Sequence, residues 1–296
     1  MTLEPVRRVG IVAKHRLATA GPLLTDLERW LDEHDVEAVF ETETAALASQ
    51  PPRQPSRSRQ ELPKVVDMVV VLGGDGTLLS MADRIAQAGR EIPILGVNFG
   101  SLGFLTEITL PELYPSLEAV IAGRAQLDER MMLVARTIRE GQPRDERVVL
   151  NDVVFSKSAL ARIIEMSISV NGRFVTRVRA DGLIVSTPTG STAYNLAAGG
   201  PIVHPAVDAI VITPIAPHTL TNRPVVIPAT SEVEVRPNLP TTRDEMTITF
   251  DGQSGYSLQH EDVVIVGRAE RPLRLVRASA RSYFEVLSEK LKWGTR

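Results

Sequence analysis

Cysteine is absent from the sequence, and no apolar run approaches the length needed to span a membrane. The absence of cysteine excludes disulfide bridges and thiolate metal sites, and it is typical of proteins in a reducing compartment. The N-terminal stretch from Met1 to Arg8 also has no apolar segment as long as that of a signal peptide. These absences predict a cytoplasmic protein that has no membrane partner.

The sequence also has no excess of basic residues over acidic ones. The chain has 33 Lys and Arg residues against 36 Asp and Glu residues, which gives a formal net charge of -3. Binding to a nucleic-acid backbone depends on clustered basic side chains, because each phosphate carries a negative charge. We therefore predict no nucleic-acid partner.

Several common enzyme patterns are absent too. The five histidines show neither metal-ligand spacing nor the partners of a Ser/His/Asp arrangement, which disfavours a zinc enzyme and a serine hydrolase. No glycine is followed at P-loop spacing by Gly-Lys-Ser or Gly-Lys-Thr, and no G-x-G-x-x-G follows the first predicted strand. Any nucleotide site in this chain must use another glycine-rich segment.

The apolar residues that are present suffice for two hydrophobic cores. The 296 residues, 43% of them hydrophobic, exceed the length at which one core usually stops growing. Residues 1–125 alternate apolar runs with helical patterns, which predicts an α/β domain with a parallel sheet. Residues 126–277 contain short β-type runs and a hairpin signal at Asn171-Gly172, which predicts a β-rich, sandwich-like domain. A helical pattern in residues 278–296 is expected to pack back on the first domain.

The first candidate site is the segment Gly73-Gly74-Asp75-Gly76-Thr77, here called the glycine turn. It follows the most apolar predicted strand and precedes a predicted helix, which is where parallel α/β sheets bind ligands. Glycines let phosphate oxygens approach the backbone N–H groups, and a helix N-terminus adds partial positive charge. The glycine turn therefore predicts a phosphate site.

Asp75 stands out within the glycine turn, because a carboxylate repels the phosphates that the backbone attracts. An Asp-Gly turn joining a strand to a helix would be a structural explanation for it. Its place between glycines at a strand end favours a chemical role, and we interpret Asp75 as the catalytic carboxylate.

The second candidate site is the hydroxyl-rich segment, residues 181–201, in which five hydroxyls fall between Ser186 and Thr192. Helix capping explains one hydroxyl but not five. On the helical turn that follows, Thr192, Tyr194 and Asn195 could hydrogen-bond a nucleotide, and the Tyr194 ring could stack on it. We interpret this segment as a nucleotide-binding site.

A third candidate is the pair Asn151-Asp152, two polar residues inside an apolar strand pattern. A bulge or a strand edge would explain the pair structurally. As a binding site, an amide beside a carboxylate suits the paired hydroxyls of a ribose. The sequence by itself leaves both explanations open.

In this order, the motifs resemble those of the NAD kinases. The resemblance rests on the glycine turn, on residues 98–105 (Asn-Phe-Gly-Ser-Leu-Gly-Phe-Leu), on Asn151-Asp152 and on the hydroxyl-rich segment. The glycine turn alone is not specific, because diacylglycerol-type and sphingosine-type lipid kinases and phosphofructokinases contain similar turns. The Thr-Pro-Thr-Gly-Ser-Thr-Ala-Tyr stretch of the hydroxyl-rich segment distinguishes the NAD kinases from them.

This resemblance implies transfer of the γ-phosphoryl group of ATP to the 2′-hydroxyl of the adenosine ribose of NAD, giving NADP and ADP. Asp75 would be the general base. A divalent cation, magnesium, would be needed because the triphosphate and Asp75 otherwise repel each other. NAD and ATP would be the small-molecule partners, and the family resemblance implies a homodimer or homotetramer.

The resemblance also assigns residues to the two substrates. The phosphates of ATP would bind to the glycine turn at Gly73, Gly74, Gly76 and Thr77. NAD would contact Asp75, Gly76, Phe104, Asn151, Asp152, Arg162, Arg179, Asp181, Thr192, Ala193, Tyr194, Asn195, Ala197 and Gln253. Phe104 would pack beside the adenine. One position departs from the family pattern, because the usual Asn-Glu pair is Asn151-Asp152 here, and Asp152 is shorter than Glu by one methylene.

Two alternatives remain at this stage. A lipid kinase would share the glycine turn, but we identify no exposed amphipathic helix for membrane binding, and the hydroxyl-rich segment disfavours it. A non-catalytic NAD(P)-sensing module would keep the binding residues and lose turnover. The intact Asp75 disfavours that second alternative.

Overall fold

The computed structural model describes residues 5–100, 102–157, 164–219, 221–238, 246–277 and 281–294. The chain divides into two compact units. The first unit comprises Met1–Glu129 and Leu273–Arg296, and the second comprises Arg130–Pro272. Arg162, one of the predicted NAD contacts, lies outside the described residues.

The N-terminal part of the first unit alternates strands and helices. Its strands are β1 (Arg8–Ala13), β2 (Glu37–Phe40), β3 (Met68–Leu72), β4 (Ile94–Asn98), β5 (Ile108–Thr109) and β6 (Gln126–Arg130). Its α-helices are α1 (Gly21–Asp32), α2 (Thr42–Ala45), α3 (Leu62–Val65), α4 (Asp75–Gln87) and α5 (Leu113–Ile121), and it has short 3-10 helices at Ala18–Ala20 and Leu110–Glu112.

The second unit is made almost entirely of strands. They are β7 (Leu133–Arg139), β8 (Gln142–Val149), β9 (Asp152–Lys157), β10 (Ile164–Val170), β11 (Arg173–Ala180), β12 (Gly182–Ser186), β13 (Ala209–Ile215), β14 (Val225–Pro228), β15 (Val233–Asn238), β16 (Met246–Phe250), β17 (Ser254–Leu258) and β18 (Val263–Arg268). A 3-10 helix at Thr189–Thr192 and α6 (Tyr194–Ala197) lie between β12 and β13. The chain then returns to the first unit with β19 (Leu273–Arg277) and α7 (Tyr283–Leu291).

The sheet of the first unit has seven strands in the order β2-β1-β3-β4-β19-β6, with β5 paired to β4. The pairings of β1 with β2 and β3, and of β4 with β3, β5 and β19, are parallel. Every residue of β3 is buried, as expected for a β-branched run in a parallel sheet that is covered on both faces. This topology brings the carboxyl ends of β1, β3 and β4 to one edge of the sheet.

The second unit contains two six-stranded sheets, β11-β10-β15-β18-β7-β8 and β14-β13-β12-β9-β16-β17. Buried side chains from both sheets, such as Phe155 and Met166, form one hydrophobic core, so the sheets pack as a sandwich. The hairpin predicted at Asn171-Gly172 joins β10 to β11. Both turn residues have positive φ, 51° and 73°, as a type I′ turn requires.

The predicted fold class is confirmed: an α/β unit with a parallel sheet, a β-rich unit, and a C-terminal helix that belongs to the first unit. Helix α7 begins with a capping box between Ser282 and Glu285, and it buries Val286 and Leu287. In the described part of the chain, no helix has the length and apolar character needed to cross a membrane.

Candidate active site

The glycine turn lies where the sequence predicts it, between the end of β3 at Leu72 and the start of α4 at Asp75. The N–H of Gly73 donates to the carbonyl of Val97 in β4 at 2.9 Å. Within the described residues, the next three N–H groups, those of Gly74, Asp75 and Gly76, have no hydrogen-bond partner. These unpaired donors at the N-terminus of a 13-residue helix can bind an anion.

The three glycines of the turn differ in what surrounds them. A Cβ on Gly73 would lie 2.9 Å from Thr77 Oγ1 and 3.1 Å from Lys14 Cβ, so packing requires glycine there. Among the described residues, a Cβ on Gly74 or on Gly76 would meet no atom within 4 Å beyond its chain neighbours and the helix backbone, and neither residue has positive φ. Since neither packing nor backbone conformation requires these two glycines, the open space beside them is available to a ligand.

Asp75 is anchored to the loop after β4. Its Oδ2 accepts the N–H of Phe104 at 2.8 Å. Its Oδ1 accepts the N–H groups of Leu105 and Thr106, at 3.1 and 3.0 Å, and the Thr106 hydroxyl at 2.9 Å. A Cβ on Gly103 would collide with Oδ1, so this approach of the loop depends on glycine.

These contacts leave one carboxylate position open. An ionised carboxylate has about four lone-pair sites, two on each oxygen. Three donors saturate Oδ1, whereas Oδ2 accepts one hydrogen bond and keeps a lone pair. Oδ2 is therefore the atom of Asp75 that can accept a proton from a substrate.

Phe104 follows Gly103 in the same loop and is partly buried. The ammonium of Lys290 in α7 lies 5.8 Å from the centre of the Phe104 ring, which is within the range of a cation–π contact. The C-terminal helix therefore contacts the residue that the family resemblance assigns to the adenine.

In the second unit, three segments that are distant in sequence meet at one end of strands β9 and β12. Asp152 is paired with Ser186 across these strands. The carbonyl of Asn151 accepts the N–H of Thr187 at 2.9 Å and the Ser186 hydroxyl at 3.1 Å. The third segment is the turn at Asp251, whose N–H donates to the carbonyl of Asp152 at 3.0 Å.

The carboxylate of Asp251 holds the backbone of the Asn151-Asp152 pair. It accepts the N–H of Leu150 at 2.8 Å on Oδ2, and the N–H groups of Asn151 and Asp152 at 2.7 and 3.0 Å on Oδ1. The sequence does not indicate this role, because Asp251-Gly252 has the pattern of an ordinary hairpin turn. Only a tertiary contact across about 100 residues reveals it.

Asp152 is 4% exposed, and no hydrogen bond to its carboxyl group is found within the described residues. Burial raises the pKa of Asp152 from 3.8 to about 7, and the charge of Asp251 adds to this increase. A buried carboxyl group that lacks protein donors can accept hydrogen bonds from a ligand, provided that it is ionised.

Most hydroxyls of the hydroxyl-rich segment are used within the protein. Ser186, Thr187 and Ser191 are fully buried. Their hydroxyls donate to backbone carbonyls, at 2.9 Å for Ser186 to Thr187, 2.6 Å for Thr187 to Leu150 and 2.6 Å for Ser191 to Pro188. Three of the five hydroxyls therefore have a structural role within the protein.

The side chain of Asn195, a predicted NAD contact, is hydrogen-bonded within the protein. It is fully buried, and its amide donates to the carbonyls of Ser191 and Pro201, both at 3.0 Å, and accepts the Thr213 hydroxyl at 2.6 Å. These hydrogen bonds hold the segment together. The neighbouring predicted contacts remain accessible, since Tyr194 is 46% exposed and the others are partly or fully exposed: Thr192, Ala193 and Ala197.

The remaining predicted contacts fall into two places. Gln253 is exposed in the turn after β16, at the same end of the strands as Asp152. Arg179 is exposed, and Asp181 forms an ion pair with Lys157, Nζ to Oδ1, at 2.9 Å. Asp181 lies just beyond the opposite end of the β9–β12 pair, five residues from Ser186, the partner of Asp152, which is about 17 Å at about 3.3 Å per residue, and Arg179 precedes it in β11.

Among the described residues, the protein alone does not form a metal site. The described residues contain no group of three or more His, Asp or Glu side chains that could hold a metal ion. Magnesium usually keeps several waters and is bound by one or two carboxylates together with substrate phosphates. The residues present are compatible with a metal ion that is held mainly by a phosphorylated substrate.

Comparison with known proteins assigns both units. Residues 9–125 match the family model described as the ATP-NAD kinase N-terminal domain, and residues 150–278 match the ATP-NAD kinase C-terminal domain. The chain is 46% identical over 291 residues to the NAD kinase of Geotalea daltonii, and 48% identical over 294 residues to that of Geobacter metallireducens. Each alignment covers 98% of this chain and 100% of the relative.

Solved structures share the fold. Yeast NADH kinase complexed with NADH superimposes with a TM-score of 0.88 at 24% identity, covering 99% of this chain and 89% of the yeast chain. An NAD kinase from Archaeoglobus fulgidus in complex with ATP gives a TM-score of 0.76 at 24% identity, covering 97% of this chain and 100% of the other.

Proposed function

This chain belongs to the NAD kinase family, and we propose that it transfers the γ-phosphoryl group of ATP to the 2′-hydroxyl of the adenosine ribose of NAD, giving NADP and ADP. One observation carries the catalytic part of this proposal. Asp75 is fixed by four hydrogen bonds with one Oδ2 lone pair left open, directly beside three unpaired N–H groups.

The glycine turn binds the phosphates of ATP. The N–H groups of Gly74, Asp75 and Gly76 donate to phosphate oxygens, and the helix dipole of α4 favours the negative charge. The missing side chains at Gly74 and Gly76 give these oxygens room to approach the backbone. Magnesium would be held mainly by the phosphate oxygens and would neutralise part of the charge of the triphosphate.

Asp75 acts on the acceptor hydroxyl. Its Oδ2 takes the proton of the 2′-hydroxyl as the ribose oxygen bonds to the γ-phosphorus, while the bond between that phosphorus and the bridging oxygen of ADP breaks. The four donors from residues 104–106 hold the carboxylate in one orientation, so little rotational freedom is lost when the substrate binds.

Residues of the second unit bind NAD. Asn151 and Asp152 hold ribose hydroxyls, and the accessible residues Thr192, Ala193, Tyr194 and Ala197 line the nucleotide, with Gln253 at the same end of the strands. Support comes from the buried, unpartnered carboxyl group of Asp152 and from the exposed ring of Tyr194. Arg179 and Asp181 contact the dinucleotide only if it is extended, because they lie at the other end of the strand pair.

The remaining expectations follow from the sequence and the family resemblance. We propose that the enzyme acts in the cytoplasm as a homodimer or homotetramer. Sedimentation of the purified protein tests the assembly state.

Purified protein is incubated with ATP, magnesium and NAD, and NADP is measured. Parallel reactions contain diacylglycerol or sphingosine in place of NAD. The proposal expects NADP and no phosphorylated lipid. A lipid product with no NADP would indicate a lipid kinase, whereas tight NAD binding without any product would indicate a sensing module.

A further inference from the structure

The loop that follows β1 lies beside the glycine turn. Strands β1 and β3 are parallel neighbours, with Ala13 paired to Leu72, so Lys14 and Gly73 leave the sheet side by side. A Cβ on Gly73 would lie 3.1 Å from the Cβ of Lys14. The stem of Lys14 therefore begins in contact with the turn whose N–H groups are unpaired.

The backbone at Lys14 is fixed. Its N–H donates to the carbonyl of Leu72 at 2.8 Å, and its carbonyl accepts the N–H of Leu17 at 3.2 Å. The preceding N–H, that of Ala13, donates to the hydroxyl of the buried Thr44 at 2.8 Å. Only the side chain of Lys14 is free to move, and it is exposed.

The charge of Lys14 is not neutralised locally. No ion pair or hydrogen bond to its ammonium occurs among the described residues, and the same is true of the guanidinium of Arg16. The carboxylates of this sheet edge already have partners. Asp75 is bound to residues 104–106, Glu41 to Thr44 and Arg59, and Glu43 lies 3.4 Å from His15.

We propose that Lys14 binds the β- and γ-phosphate oxygens of the phosphoryl donor over the glycine turn. A flexible stem carrying a compact charge can reach into the open space beside Gly74 and Gly76 and complement the backbone donors there. An ammonium recognises phosphate charge and does not read a nucleobase, so Lys14 serves the triphosphate and not the adenosine. This inference rests on the proposed function, in which the glycine turn is the donor site.

The test is the variant Lys14→Met, with Lys64→Met as its matched control. Lys64 is also exposed and belongs to the same unit, but it precedes the amino end of β3, on the opposite edge of the sheet. Calorimetry measures binding of inorganic tripolyphosphate, steady-state kinetics gives KM for ATP and for NAD, and thermal unfolding gives Tm.

Lys14→Met should weaken tripolyphosphate binding and raise KM for ATP by about tenfold, the usual worth of one charge-assisted contact. KM for NAD and Tm should not change, and Lys64→Met should match the wild type throughout. Wild-type tripolyphosphate affinity retained in Lys14→Met, or an equal rise in both KM values, would overturn the inference. Absence of NADP formation by the wild type would refute the proposed function instead. The comparison of tripolyphosphate binding between the wild type and Lys14→Met would still test whether Lys14 binds phosphate.

Discussion

Thr106 donates twice to one oxygen of Asp75. Its backbone N–H and its hydroxyl lie 3.0 and 2.9 Å from Oδ1, and the same hydroxyl accepts the side-chain amide of Asn98 at 3.1 Å. Thr106 is fully buried, so this chain of hydrogen bonds links the end of β4 to the first residue of α4. The proposed catalytic carboxylate is thus also the residue that closes the loop containing Phe104.

Two variants of Asp75 separate these roles. Asp75→Asn keeps Oδ1 as the acceptor for Leu105 and Thr106 but loses the base and the acceptor for the Phe104 N–H, so NADP formation should fall by about 10²- to 10⁴-fold and the free energy of unfolding by only about 1 kcal/mol. Asp75→Ala should be as inactive and should also lower the free energy of unfolding by about 1–3 kcal/mol, because buried donors lose their acceptor. Single-turnover rates and urea unfolding measure both effects. An Asp75→Asn enzyme as fast as the wild type would contradict the general-base role.

Gly76→Ala should stabilise the fold and harm catalysis. Among the described residues, the new methyl group meets no atom within 4 Å beyond its chain neighbours and the helix backbone, and alanine in place of glycine stabilises a helix by about 0.5–1 kcal/mol. The methyl group would occupy the space proposed for phosphate oxygens, so KM for ATP should rise. Tm and ATP kinetics are measured together.

Gly103→Ala is the control for that variant, because its methyl group would collide with Asp75 Oδ1. This substitution should lower both Tm and kcat. Unchanged ATP kinetics in Gly76→Ala would argue against phosphate binding at the glycine turn.

Stability should depend on pH through Asp152. The pKa of this group is about 7 in the folded protein and 3.8 as its ordinary value, so between these pH values the folded state holds a proton that the unfolded chain releases. Its contribution to the free energy of unfolding is complete below pH 3.8 and is lost as the pH rises to about 7. The loss is on the order of 4 kcal/mol at 1.36 kcal/mol per pKa unit.

Asp152→Asn removes this dependence, so the variant should be more stable than the wild type at pH 8, with a smaller difference at pH 4. Urea unfolding at several pH values measures the free energy of unfolding of both proteins. In the wild type, KM for NAD should fall as the pH rises through about 7, because the ionised carboxylate is the better acceptor for ribose hydroxyls. Parallel pH profiles of stability for the two proteins would refute the assignment of this pKa.

Replacing Asp251 should affect the proposed NAD site indirectly, through the backbone of residues 150–152. Asp251→Asn tolerates the positive φ of 50° and keeps Oδ1 for Asn151 and Asp152, but it loses the acceptor for Leu150. We expect a loss of about 1–2 kcal/mol in the free energy of unfolding. Removing its charge should also lower the pKa of Asp152, so the pH midpoint of KM for NAD should decrease. A midpoint that stays in place would show that Asp251 does not influence Asp152.

Local sequence patterns predicted much of the fold. The β-branched run before the glycine turn forms the buried strand β3, and Asn171-Gly172 forms the predicted hairpin turn. Thr109 and Glu112 form a capping box, a motif that is defined by a short spacing in the sequence. Each of these features depends on neighbours a few residues apart, and such neighbours can be identified without knowing the fold.

The candidate site was predicted in part. The sequence located the glycine turn and singled out Asp75 and Asp152, because a charge in an apolar or anion-binding setting is conspicuous. It assigned Asn195 to a ligand, whereas the structure buries that amide against Ser191, Pro201 and Thr213. A hydroxyl or an amide that hydrogen-bonds a substrate cannot be distinguished in the sequence from one that hydrogen-bonds other residues of the same chain.

The sequence alone therefore determined the order of strands and helices, the glycine turn and the family resemblance. Only the tertiary structure decided which polar groups are already used within the protein and which remain available. Asp75 reaches residues 104–106, and Asp251 reaches residues 150–152, across separations of about 30 and 100 positions. The physical reason is that hydrogen-bond satisfaction depends on distance in space, which the chain fixes only when its sheets assemble.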